Sequence, residues 1–202
     1  EMTRLNLLGT TAFPLMKRGS FLLLFWFLGL LAMAHPVPDL PVRADFNFKG
    51  EVVIRVEVDP RCFVKDAENE PYLVYGVYKH LEKEDFSKME KKAVELIRKS
   101  IGFHFDPPYS AKPNFTFHYT TLGNKPIVKK EESPVVLQAE WKFELPANVK
   151  TYQLKASPAG RFSVLFINRI MGEKQDLNVL FPGESSYKLD LELLARIRKS
   201  KE

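Results

Sequence analysis

Residues 42–58 read VRADFNFKGEVVIRVEV, and their alternation decides the fold. Val42, Ala44 and Phe46 alternate with Arg43 and Asp45. Beyond Gly50, Val52, Ile54, Val56 and Val58 alternate with Val53, Arg55 and Glu57. In an extended chain successive side chains point to opposite faces, so each run carries one continuous apolar face. With a glycine between them, the two runs predict a β-hairpin laid against a core.

The same period recurs downstream. Strands are expected at 101–105, 114–119, 135–145, 152–156, 162–170, 177–181 and 187–191, with turns at Pro158-Ala159-Gly160, Met171-Gly172-Glu173 and Pro182-Gly183-Glu184. Short strands punctuated in this way predict a mainly β fold, a β-sandwich of about eight or nine strands. Its expected core includes Phe103, Phe105, Phe115, Phe117, Trp141, Phe143, Phe162, Leu165, Tyr187 and Leu189.

One segment departs from period two. Phe86, Met89, Ala93, Leu96 and Ile97 recur at helical spacing, with Lys88, Glu90, Lys91, Lys92, Glu95, Arg98 and Lys99 opposite them. Asp85 is the expected N-cap and Gly102 lies just past the expected end. Residues 72–81 predict a preceding helix, which makes residues 72–99 a helical hairpin inserted after the second strand, its apolar stripe packed on the sandwich.

Upstream of the hairpin stands FLLLFWFLGLLAMA, residues 21–34, preceded by Lys17-Arg18 and followed by His35-Pro36. A basic flank, an apolar run and Ala32-Met33-Ala34 read as a secretory signal peptide over residues 1–34, starting naturally at Met16. The run is shorter than the about 20 residues of a comfortable membrane span, so cleavage after Ala34 is expected, with an uncleaved anchor as the alternative. This places the protein outside the cytoplasm, periplasmic or secreted, with no membrane span after processing.

Cleavage leaves one β-sandwich domain, residues 35–191, and a basic C-terminal tail, residues 192–202. Losing Arg4, Lys17, Arg18 and Glu1 lowers the net charge from +5 to +3. The remaining charges are interspersed and form no basic stripe, which argues against nucleic acid. Cys62 is the only cysteine, so the fold rests on its core and not on an internal disulfide.

No serine stands in a G-x-S-x-G turn, and the chain has no H-E-x-x-H helix, phosphate-binding G-x-x-x-x-G-K loop or paired-cysteine motif. No catalytic residue is therefore assigned. Cys62 beside Arg61 reads as a small buried residue ending the second strand. Asn114-Phe115-Thr116 fits the glycosylation acceptor pattern.

The sharpest chemical expectation starts at the cleavage point. A mature His35 offers its α-amine and imidazole Nδ1 to one metal ion, nitrogen donors that suit copper or nickel. Pro36 has no N–H, so square-planar ligation through the next amide is blocked and further ligands must come from elsewhere. His104 alternates with Phe103 and Phe105, and His118 with Phe117 and Tyr119. Were these two strands a hairpin across residues 106–113, His104 and His118 would share a face, and the register that pairs them directly would set their Cβ atoms about 5 Å apart. His35, His104 and His118 are thus the candidate metal ligands.

MAHPVPDLPVRADFNFKGEVVIRVEVDP, residues 33–60, and VLFINRI with LNVLFPGESSYKLDL, residues 164–170 and 177–191, are similar to the extracytoplasmic N-terminal domain of the hydrogenase/urease-accessory family of nickel and cobalt permeases. The resemblance spans most of residues 34–191. It implies a β-rich domain associated with metal uptake, with His35 as its one transferable residue. The sequence as read lacks the permease helices, which implies work beside a membrane permease or other envelope protein, not transport itself. Two functions follow as expectations: a non-enzymatic binding or accessory domain in nickel, cobalt or copper handling, or a copper-dependent oxidase or oxygenase using a histidine brace at His35.

Overall fold

A computed structural model describes residues 37–109 and 112–192 together with positions 194 and 196. The expected leader at 1–34, His35 and most of the basic tail lie outside the described residues.

Strands β1 (Leu40–Phe46) and β2 (Glu51–Val58) form the expected antiparallel hairpin, with Val42 opposite Val56 and Phe46 opposite Val52. Its turn is locally specified. Asn47 Oδ1 accepts from the N–H groups of Lys49 and Glu51 at 2.9 and 3.0 Å, and Gly50 takes φ of 82°, a conformation that a Cβ penalises.

This hairpin is the centre of a seven-stranded sheet. β5 (Val136–Glu144) pairs with β2, and β4 (Thr116–Thr120) extends the sheet beyond β5. On the other side β7 (Val164–Ile170) runs parallel to β1, and its far edge takes β8 (Glu173–Lys174) and β9 (Asn178–Leu180). The inward residues Leu40, Val42, Ala44, Phe46, Val52, Ile54, Val56 and Val58 are at most 2 % exposed. At about 1.5–3 kcal/mol per larger apolar side chain, this face is the main source of stability. The opposite face is charged, with Arg55 bridging Asp45 and Glu140 at 2.8 Å each.

The second layer has two parts. One is a three-stranded sheet, β10 (Leu189–Asp190), β6 (Thr151–Ala156) and β3 (Ile101–Asp106), in that order. Tyr152 meets Phe46 with ring centroids 5.2 Å apart, and Phe105 meets Phe143 at 5.7 Å. Beside it lies the long helix, which buries Ala93 and Ile97 and sets the Phe86 ring edge-on to Tyr119 at 5.0 Å. The fold is mainly β and sandwich-like, with the helix docked as expected.

The inserted hairpin of helices is corrected in its first half. Only α1 (Tyr75–Tyr78) forms, a single turn. The backbone here is claimed by residues 131–135: Val135 N–H donates to Leu73 O at 2.7 Å, Tyr75 N–H to Ser133 O at 2.8 Å and Gly76 N–H to Glu131 O at 3.0 Å. Those bonds hold the start of the segment extended and compete with helix propagation. The long helix α2 is Lys83–Ser100, starting earlier than expected: Asp85 is not its N-cap but sits in the first turn, accepting from the Glu82 N–H at 3.2 Å. Gly102 lies just past its end as expected, but within β3, because the chain is already extended at Ile101 (φ −132°, ψ 128°).

One expected core residue, Leu165, faces outward as the outer neighbour of Pro41 in the parallel pair. Tyr187 sits at the rim of the core: it is 42 % exposed, with its ring 5.7 Å from buried Phe166 and its hydroxyl accepting from buried Asn168 at 3.0 Å. The other correction bears on function: β3 and β4 do not pair.

Candidate functional site

The placement of the histidines follows from that pairing. His104 stands opposite Gln153 on β6, and His118 opposite Gln138 on β5, so the two belong to different sheets. Each is exposed, while its aromatic neighbours Phe103 and Phe105, or Phe117 and Tyr119, pack toward the core. The side chains therefore leave opposite outer faces of the two layers. The structure does not bring His104 and His118 together, and His35 lies outside the described residues. Among the described residues no group of three or more His, Cys, Asp and Glu is placed to hold a metal ion.

Instead, polar groups converge where β2 ends. Asp59-Pro60 stops the strand, and residues Pro60–Phe63 form a short 3-10 turn capped by Asp59, whose Oδ1 accepts from the Arg61 N–H at 2.9 Å. The other carboxylate oxygen takes Arg61 Nε at 2.9 Å and Nη2 at 2.8 Å. Asp59 and Arg61 are 6 % and 3 % exposed, and the guanidinium lies 3.6 Å above the centre of the Tyr72 ring. Buried ions need this degree of pairing, because breaking such a pair costs about 3–5 kcal/mol. One donor is left over: Arg61 Nη1 is buried without a hydrogen-bond acceptor.

These residues wall a cavity of about 180 Å³ together with Val37, Pro38, Asp39, Pro41, Glu57, Leu122 and Leu165. Glu57 and Leu165 reach it from the outer face of the large sheet. The Glu57 carboxylate accepts from the Asn124 N–H at 3.0 Å. Burial nevertheless raises its pKa above the usual carboxylate value, against the lowering effect of the Asn124 and Gly123 amides. Asn124 holds a left-handed φ of 61° and receives the Gln138 side-chain amide, which fixes the loop over Glu57. An aromatic face, a stacked guanidinium with a spare N–H and carboxylates suit recognition of a small polar group.

Cys62, on the same turn, is buried, and burial together with the Asp59 charge pushes its thiol up to about 12 despite Arg61 and Arg161. It stays a protonated thiol at neutral pH. Sequence reading reached Asp59, Arg61 and Cys62 but placed Arg61 only as a neighbour of the cysteine. The Asp-Pro-Arg order, a strand stop whose carboxylate can fold back on the arginine, was the available signal. Tyr72 and Glu57 carried none, because their approach to Arg61 is tertiary.

The chain matches no family model and no curated protein.

Proposed function

We propose that this protein is a non-enzymatic, extracytoplasmic binding domain that serves as accessory to an envelope partner. The observation that carries the binding reading is the cavity at the Asp59–Arg61 pair, where the stacked guanidinium keeps an unpartnered Nη1. Export is supported by residues 17–34, and association with a permease by the resemblance of residues 33–60 and 164–191. Handling of nickel, cobalt or copper is assigned to the His35 amine and imidazole alone, since His104 and His118 diverge. The oxidase reading, which needs ring nitrogens converging on one ion, gains nothing from that divergence.

Acetamide, a neutral group with both an acceptor and donors, is the probe for the cavity. It should raise the melting temperature of the purified protein, and Arg61→Lys, which keeps the charge but loses the stacked fork, should abolish the rise. No rise in the wild-type protein, or an equal rise in Arg61→Lys, overturns the binding reading. Calorimetry with Cu(II) or Ni(II) tests the metal assignment: affinity should fall steeply below neutral pH, because the amine and imidazole titrate near about 7.7–8.0 and 6.5. One extra residue before His35 should abolish tight binding, and equal affinity with that residue present rejects the assignment.

A further inference from the structure

On the outer side of the second layer, a groove of about 470 Å³ runs between the end of α2, the sheet β3–β6 and the turns after β6 and before β10. Three nitrogen-bearing side chains line it from three elements: Arg98 from the last turn of α2, His104 from β3 and Lys155 from β6. None of these three side chains has an ion-pair or hydrogen-bond partner among the described residues. Ser157 and Ser185 add hydroxyls to the wall. The one carboxylate there, Glu184, is tied down by the Phe181 N–H, which donates to it at 2.8 Å.

The floor of the groove is Gly102. It pairs with Lys155 across the strands, and a Cβ at Gly102 would stand 2.8 Å from His104 Nε2 and 3.8 Å from Lys155 Cβ. The missing side chain is what lets the imidazole lie back across its own strand toward Lys155. A histidine on an open sheet face would ordinarily extend into solvent. Here it is folded onto a glycine, with its Nε2 end over Gly102 and beside Lys155.

We propose that this groove is a binding site for a phosphate-class dianion, inorganic or as a terminal phosphomonoester. Donors arriving from three elements match three oxygens on a tetrahedral centre better than the two coplanar oxygens of a carboxylate. A dianion also supplies the counter-charge that Arg98 and Lys155 lack among the described residues. In the free protein, burial and the positive charge of Lys155 lower the His104 pKa below its ordinary value, so the ring is neutral at pH 7. The dianion reverses that field, and binding draws a proton onto His104. Arg98, Lys155 and Glu184 are the other charged groups lining the groove; Lys155 is the one whose charge acts on the ring, and Glu184 is the one that opposes the anion.

The test is a titration of the purified protein with inorganic phosphate, followed through the ring signals of its histidines. His104 should shift saturably and its pKa should rise, while His80 and His118, remote from the groove, serve as internal references that stay fixed. Lys155→Met should raise the His104 pKa in the free protein and weaken phosphate by about tenfold or more; Arg98→Gln should weaken it comparably. Phosphatidylcholine vesicles with and without phosphatidic acid separate the sources. Binding only to the acidic vesicles, lost in Lys155→Met, identifies a lipid headgroup as the natural phosphate, whereas a response to inorganic phosphate alone identifies a soluble one. The proposal fails if His104 is unmoved at about 10 mM phosphate, if His80 and His118 move equally, or if Lys155→Met binds unchanged.

Discussion

The strand pairs β1–β2 and β3–β4 are each consecutive along the chain, but only the first pair is consecutive in space. β1 and β2 are joined by four residues, 47–50, closed by the Asn47 side chain and a left-handed Gly50. β3 and β4 are separated by residues 107–115, with prolines at 107, 108 and 113; β3 finds its partner far downstream in β6, while β4 pairs with the next strand, β5. A short turn with its own hydrogen bonds fixes pairing locally. A longer connection leaves pairing to whichever apolar surfaces bury best, and here that sends neighbouring strands into different layers.

The largest expected effect separates the two strands through their aromatics. Phe105 on β3 is 8 % exposed and contacts Tyr152, Trp141, Phe143 and Tyr109. Phe105→Ala should cost about 3–5 kcal/mol in denaturant unfolding. Phe117 on β4 is only partly buried against the core beside α2, and Phe117→Ala should cost clearly less, about 1–2 kcal/mol. Both strands are edges of their sheets, so equal losses would erase the distinction between a ring enclosed between the two sheets and one packed beside α2.

Next in size is the hairpin turn. Gly50→Ala places a Cβ at φ of 82° and should destabilise by about 1–2 kcal/mol. By contrast, inserting Gly-Ser between Lys112 and Pro113 only lengthens a connection whose ends are already far apart in pairing. Its expected cost is about 0.6 kcal/mol or less, from loop entropy. If the insertion costs more than Gly50→Ala, the connection is structured enough to direct pairing, and the contrast between local and non-local specification fails.

The smallest effect concerns the end of β2. Burial raises the Glu57 pKa above 4.5, so between 4.5 and its native value the folded state holds more protons than the unfolded chain. Stability from this group is therefore present at low pH and declines as pH rises through that window. Glu57→Gln should flatten the decline and be slightly more stable at neutral pH. Urea midpoints of the two proteins across pH 4 to 7 check this, and identical pH profiles would show that Glu57 is not desolvated.

What the sequence revealed follows the same division. Alternation over 42–58 and the apolar stripe from Phe86 to Ile97 are local signals, and both the hairpin and α2 are where they point. Period two also placed the aromatics of β3, β4 and β5 on the correct faces. It did not reveal which sheet each strand joins, since His104 and His118 alternate identically with their aromatics whether or not the strands are neighbours. Leu165 was misassigned for a related reason: β7 is apolar on both faces, so alternation could not choose its side, while Tyr187 reaches core Phe166 but only from the exposed rim. The Arg61 cavity was hidden more deeply, because Tyr72, Glu57 and Leu165 meet only after β1, β2 and β7 are assembled and the loops carrying Tyr72 and Leu122 fold over their outer face.

The central claim is that the two histidine-bearing strands lie in different layers, and backbone NOEs in the folded protein test it most directly. Cross-strand NOEs should join His104 to Gln153 and His118 to Gln138, following the observed registers, with none between residues 101–106 and 116–120. A ladder of NOEs linking His104 to His118 would contradict this arrangement and restore a hairpin that presents both imidazoles to one ion.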